Sequence, residues 1–253
     1  MRVVARLACA ALAFLAAALP GDASATNPFV RMTTVLGSFD IELCAEASAT
    51  CTGDAPASVA NFLRYVDEDK YPPTLFVDFR TSAPDPQIIQ SGSTFIREEG
   101  EEFVLDFVPE FDPVELEVGR GLSNLRGTIG VARFLQIPVS GTSSWYLNLT
   151  DNVAFDTENG GFAVFGFVVA GMDVVDAIGA LPIHPDCAGN VPLVDYPGCP
   201  ASAIPHLAYV TSIERVPEPG IAGIGTACGL ALAWLRRRRE AASRGRSHYL
   251  PRP

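Results

Sequence analysis

Short segments with the composition of β-strands recur along the middle of the chain, and they constrain its fold more than any other feature. Most are rich in β-branched or aromatic residues and are bounded by glycine, proline or small polar residues, which is typical of antiparallel strands. A hairpin is predicted at 33–43, where apolar and acidic residues alternate and Gly37-Ser38 supplies the turn. The other predicted strands cover 74–79, 87–90, 127–134, 145–149, 163–168 and 208–213.

Two helices are predicted among these strands. The first, at 55–66, opens with Pro56 and places Val59 and Phe62 on one face. The second covers 173–180. Two helices among many short strands predict a mainly β domain, in which a closed antiparallel barrel is capped by the helices.

The first 25 residues have the pattern of a secretory signal peptide. Arg2 and Arg6 form a basic start, an apolar run follows at 7–19, and Ala23-Ser24-Ala25 provides a small-residue cleavage site. A membrane anchor is the alternative, but the apolar run is short for a membrane span. We therefore expect residues 1–25 to be removed and the protein to be exported to the periplasm or cell envelope.

The segment 216–239 has the order of a membrane sorting signal. Pro217-Glu218-Pro219 precedes an apolar run at 221–235, and four arginines follow. This order resembles the PEP-CTERM signal of Gram-negative bacteria and their relatives. The resemblance implies that an exosortase-type sorting protease is a partner and that 221–235 enters the membrane. The arginines and the basic tail at 240–253 would then remain cytoplasmic; a plain C-terminal anchor is the alternative.

The stretch between these termini, 26–215, is long enough for one domain and is strongly acidic. It contains nine Lys and Arg residues against 26 Asp and Glu residues, although the whole chain carries a formal charge of only −11. Such a charge argues against nucleic acid as a partner, because phosphate backbones are bound by clustered cations.

Four cysteines fall within this domain. In an exported protein the natural pairing is Cys44 with Cys51 and Cys187 with Cys199, although four cysteines allow three connectivities. The sequence has no CxxC motif, and its three histidines lack the spacing of metal ligands. We therefore predict neither a metal site, zinc included, nor a redox site.

Four motifs in the second half of the domain carry a family resemblance. They are Arg126-Gly127-Thr128-Ile129-Gly130-Val131-Ala132-Arg133, Ser143-Ser144-Trp145-Tyr146-Leu147-Asn148, Gly161-Phe162-Ala163-Val164-Phe165-Gly166 and Gly171-Met172-Asp173-Val174-Val175-Asp176-Ala177-Ile178. In this order and at these spacings they resemble the cyclophilin-type peptidyl-prolyl cis-trans isomerases. The resemblance covers about 33–214. It implies a closed eight-stranded antiparallel β-barrel with an α-helix at each end, no cofactor, and proline-containing polypeptides as substrates.

The resemblance also implies a site, since the family places an arginine over the substrate peptide group and an apolar pocket around the proline ring. Arg80 would be the catalytic arginine, although it stands two residues farther from Gln90 than the family pattern requires. An ion pair between Arg80 and Asp78 is the alternative. The implied substrate-binding residues are Ile88, Gln90, Ala132, Arg133, Ser144, Tyr146, Phe155 and Phe162.

Two other positions depart from the family pattern. Gln87 stands where an apolar pocket residue is usual, and Ser144 stands where a glutamine usually precedes the aromatic pair. Three functions therefore remain open. The first is a peptidyl-prolyl isomerase of the cell envelope that assists the folding of exported proteins. The second is a catalytically degenerate module that binds proline peptides or the envelope matrix, and a purely structural surface protein is a third reading.

Overall fold

The computed structural model describes residues 27–81, 87–100, 102–186, 188–199 and 201–216. Its strands are β1 (Phe29–Thr34), β2 (Gly37–Leu43), β3 (Leu75–Phe76), β4 (Phe79–Arg80), β5 (Ile88–Ser91), β6 (Thr94–Glu99), β7 (Glu102–Phe107), β8 (Thr128–Val131), β9 (Trp145–Asn148), β10 (Val164–Ala170), β11 (Ile183–His184), β12 (Gly189–Pro192) and β13 (Tyr209–Val216). Its α-helices are α1 (Pro56–Asp67) and α2 (Met172–Gly179), and 3₁₀-helices cover Val153–Asp156, Glu158–Gly160 and Ile204–His206.

The described strands form one large antiparallel sheet and one small ribbon. Eleven strands of the described chain make up the sheet, in the order β4-β5-β9-β8-β10-β2-β1-β13-β3-β6-β7, while β11 pairs with β12. The domain is thus mainly β with two α-helices, as predicted. The predicted closed eight-stranded barrel is wrong, because the sheet of the described residues is open between β4 and β7 and has eleven strands.

Two local features explain this difference. First, the strand predicted at 74–79 is interrupted, because the Val77 N–H donates to Ala208 O whereas the Asp78 N–H donates to Gln90 O. The interruption divides the strand into β3, which pairs with β13, and β4, which pairs with β5. Second, the β6–β7 hairpin extends the sheet beyond β3. The hairpin is absent from the predicted elements, although its strands contain aromatic and β-branched residues, because the glutamates around its turn obscure the apolar pattern.

The core lies between the sheet and the two helices, whose predicted positions are confirmed. Val59 and Phe62 of α1 and Val175 of α2 are buried against the same cluster as the inward side chains of the central strands. Trp145, with 1% of its surface exposed, also packs in this core. The inward and outward residues of β9 therefore belong to different clusters, and the outward residues are available to form a site on the other face of the sheet.

Cys44 and Cys51 form the predicted disulfide, with an S–S distance of 2.07 Å. Cys199 is also disulfide-bonded, but its predicted partner Cys187 lies outside the described residues. The predicted signal peptide, the apolar run at 221–235 and the basic tail lie outside them as well. In the portion of the chain that is described, no helix is both long and apolar enough to cross a membrane.

Candidate active site

An apolar cluster on the outer face of the sheet brings together five of the predicted substrate-binding residues. Its members, called the aromatic cluster below, are Ile88, Ala132, Tyr146, Phe155 and Phe162. The rings of Phe155 and Phe162 lie 4.8 Å apart, and both meet the Tyr146 ring edge-on at 5.9 and 6.1 Å. Phe155 is partly exposed and the other four are buried. The cluster therefore offers a compact apolar surface that is separate from the main core.

The register of four neighbouring strands decides which side chains share this face. Gly130 of β8, Tyr146 of β9, Gln90 of β5 and Phe79 of β4 lie in one row across the sheet. Gly130 has a specific role in that row, because a Cβ there would lie 2.3 Å from Cζ of Tyr146. The Tyr146 ring thus lies flat over β8 because no side chain stands in its way.

Tyr146 is held by a buried polar network under the cluster. Its hydroxyl donates to Oδ1 of Asn124, and the Asn124 amide donates to Asp156 Oδ1 at 2.8 Å and to the Phe162 carbonyl at 3.1 Å. Burial, with a smaller contribution from the Asp156 charge, raises the pKa of Tyr146 far above its ordinary value. Tyr146 therefore acts as a fixed wall of the site and not as an acid or base.

Arg133 closes the other side of the cluster. Its guanidinium carbon lies 4.4 Å from the centre of the Phe162 ring, in a cation–π contact. Its N–H groups donate to the carbonyls of Phe134, Leu135, Asn159 and Gly161. Arg133 thus ties the loop after β8 to the loop that carries Phe162, and its pKa is lowered by burial.

The structure does not bring Arg80 to this face. Arg80 pairs with Ile89, whose side chain is 1% exposed in the core, and its Nη1 donates to the Gly179 carbonyl of α2 at 3.0 Å. A cation beside the C-terminal carbonyls of a helix is electrostatically favourable. The predicted position of Arg80 in the site is therefore corrected. The residue beside Gln90 on the outer face is Phe79.

The alternative prediction, an ion pair between Arg80 and Asp78, is not observed among the described contacts. Asp78 instead accepts hydrogen bonds from Ser93 and Thr94. The reason is the interruption of the strand between β3 and β4, which turns Asp78 toward β6 while Arg80 follows the inward alternation of β4.

The remaining predicted residues lie around the cluster. Gln90 shares the outer row with Tyr146 and is partly exposed. Ser144 contributes its carbonyl, which accepts the Ala132 N–H at 3.0 Å, while the residue lines a small cavity on the α1 side of the sheet. Sequence reasoning missed Asn124 and Phe79. Only the strand register could have placed Phe79, and Asn124 gives no signal in the sequence.

Comparison with known proteins identifies the family of this domain. The family model for cyclophilin-type peptidyl-prolyl cis-trans isomerases matches residues 29–195, which is more than half of the chain. The chain belongs to this family. The matched region contains the whole aromatic cluster and its polar network.

Two bacterial members of the family illustrate the similarity. The peptidyl-prolyl cis-trans isomerase of Acinetobacter baylyi is 34% identical over 158 residues, which span 62% of this chain and 74% of the relative. Peptidyl-prolyl cis-trans isomerase A of Dickeya dadantii is 34% identical over 166 residues, or 65% and 77% of the two chains. A solved structure of a cyclophilin-type isomerase from Cryptosporidium parvum aligns with a TM-score of 0.53 at 17% identity. It covers 76% of this chain and 99% of that one, and it supports the fold alone.

Proposed function

We propose that this cyclophilin-type protein is a peptidyl-prolyl cis-trans isomerase whose substrate packs its proline ring against the aromatic cluster. The observation that carries the proposal is the meeting of Ile88, Ala132, Tyr146, Phe155 and Phe162 on the outer face beside Gln90. Rotation about a prolyl peptide bond must overcome a barrier of about 18–20 kcal/mol, because it breaks amide resonance. An apolar surface favours the twisted state, in which the peptide group loses part of its charge separation.

A hydrogen-bond donor to the twisted peptide would lower the barrier further, and the structure limits the candidates. Arg80 faces the core, and the N–H groups of Arg133 are engaged by loop carbonyls. Gln90 lies in the same row as Tyr146 and is partly exposed. Its side chain hydrogen-bonds the Asp78 carboxyl group, which occupies one of its two amide N–H groups. We assign the other N–H as the donor. A neutral amide is a weaker donor than a guanidinium, so we expect a modest acceleration.

A second candidate function is a proline-peptide binding module without catalysis. The inward orientation of Arg80 favours it, because the arginine that the described residues do place beside the cluster, Arg133, has its N–H groups engaged by loop carbonyls. The two functions share the same binding surface and differ only in whether the bound peptide is isomerised.

The cellular role that we propose is isomerisation of exported proteins at the cell envelope. The signal-peptide pattern at 1–25, the PEP-CTERM-like segment at 216–239 and the disulfide between Cys44 and Cys51 support it, since disulfides persist in oxidising compartments. In this role an exosortase-type protease recognises the C-terminal segment, and 221–235 anchors the chain at least transiently.

The test is a proline-limited peptide isomerisation assay with the purified full-length chain. We expect the cis-to-trans rate of an Ala-Pro peptide to rise in proportion to the protein concentration. A Gln90→Ala variant should keep most of its affinity for the peptide and lose about tenfold in rate, which corresponds to about 1.4 kcal/mol. Binding without any acceleration would replace the isomerase with the binding module, and absence of both would refute the two functions together.

A further inference from the structure

An open groove of about 530 Å³ lies between the site and the β6–β7 hairpin. Its walls are apolar and are formed by Phe76, Phe79, Leu105 and Val191. Leu105 is 52% exposed, although it is a large aliphatic residue. Such a surface on a strongly acidic domain calls for an apolar occupant.

The groove is continuous with the aromatic cluster. Gln90 and Phe79 line the groove, and the same two residues occupy the outer row that contains Tyr146. A peptide whose proline ring lies on the aromatic cluster therefore enters the groove as its chain crosses Gln90. Because the groove and the cluster are continuous, the groove would hold the part of the same substrate that flanks the proline.

Polar groups complete the lining of the groove, namely Asp78, Gln90, Ser93 and Thr94. The Asp78 carboxylate accepts hydrogen bonds from Ser93 and Thr94 at Oδ2. Burial raises the pKa of this carboxyl group, while its hydrogen bonds with Ser93, Thr94 and the Gln90 side chain oppose the rise. These polar groups are engaged with one another, so the apolar wall is the part of the groove that is left to bind a ligand.

We infer that the groove is a second subsite of the enzyme, which binds an apolar residue of an extended substrate near its proline. This inference rests on the proposed function and specifies its substrate class. The substrate is an extended, apolar segment of an unfolded polypeptide with proline beside it, and not an isolated Xaa-Pro unit on a folded surface.

The experiment measures the binding of fluorescent peptides to the full-length chain by anisotropy, together with their isomerisation. Each peptide contains one Ala-Pro unit in a serine background, and a single leucine is moved one position at a time along both sides of the proline. The reference peptide has no leucine. Leu105→Ser is the groove variant, and Val35→Ser is its matched control, because Val35 is 50% exposed in the turn between β1 and β2.

We expect at least one leucine position to improve the affinity of the wild-type chain about tenfold over the reference peptide, which corresponds to about 1.4 kcal/mol. Leu105→Ser should remove that gain and Val35→Ser should keep it.

The outcomes separate the subsite from the proposed function. Equal affinity for all peptides in a wild-type chain that still isomerises the reference would overturn the subsite alone, as would a leucine gain that survives Leu105→Ser. A leucine gain without isomerisation of any peptide would support the subsite and refute catalysis. Absence of binding by every peptide would overturn both.

Discussion

Replacing Arg133 with alanine tests how the aromatic cluster is held in place. The Arg133 guanidinium lies over Phe162 and donates to the carbonyls of Asn159 and Gly161. The backbone it contacts follows a left-handed path, since Asn159 has a φ of 52° and the following two glycines also have positive φ, and few other contacts fix such a path. Without the arginine, this loop should relax and move Phe162.

The size of the effect follows from these contacts. A partly exposed cation–π contact contributes about 0.5–2 kcal/mol. Each charge-assisted hydrogen bond adds roughly 1.5–3 kcal/mol when it is buried, but water replaces much of this for a guanidinium that is partly exposed. We therefore expect Arg133→Ala to lower the free energy of unfolding by about 2 kcal/mol and to raise KM about tenfold, with little change in kcat.

The assay combines urea unfolding with steady-state isomerisation by the full-length chain. Arg133→Lys is the informative companion, because lysine keeps the charge but cannot span four carbonyls with a planar fork. It should resemble Arg133→Ala in KM. If Arg133→Ala lowered kcat at unchanged KM, Arg133 would act on the twisted peptide and not on the position of Phe162. If the variant kept wild-type stability and KM, the two loops would not depend on Arg133 for their position.

Three further predictions follow. Arg80→Ala removes a hydrogen bond to Gly179 and should cost about 1 kcal/mol of unfolding free energy at unchanged kcat/KM, as measured by urea unfolding and the isomerisation assay. Cys44→Ser opens a loop of seven-residue separation and should cost roughly 2–3 kcal/mol, which is checked against the reduced wild-type chain. The pKa of Asp78 is raised from 3.8 in the folded state, so its ionisation destabilises the fold. The stability of the wild type relative to Asp78→Asn should thus fall as pH rises from about 4 through the raised pKa, because the other aspartates titrate alike in both proteins; unfolding of both proteins across that range measures the difference.

Much of the fold could be predicted, because local patterns determine it. Pro56 and the spacing of Val59 and Phe62 predicted α1, and alternating apolar residues predicted the β1–β2 hairpin. The closure of the sheet could not be predicted in this way. It depends on which of two neighbouring strands takes the Val77 and Asp78 N–H groups, and that choice is made by tertiary contacts.

In the candidate site, too, local motifs could be predicted and strand register could not. Tyr146, Phe155 and Phe162 do meet in one cluster, because their motifs have fixed spacings within continuous elements, and their role in binding substrate stays a prediction. Arg80 was misplaced, because a shift of one residue in a strand moves a side chain to the opposite face. The motif could not reveal the register in which Arg80 pairs with Ile89.

The central claim is that the aromatic cluster, and not Arg80, provides the isomerase site. The most direct measurement is the catalysed isomerisation rate of one Ala-Pro peptide for the full-length wild type, Phe155→Ala and Arg80→Ala. Phe155 is partly exposed, so its truncation leaves the core intact. We expect equal rates for wild type and Arg80→Ala, and a rate about tenfold lower for Phe155→Ala. Loss of catalysis in Arg80→Ala with a wild-type rate in Phe155→Ala would show that Arg80, and not the aromatic cluster, provides the activity.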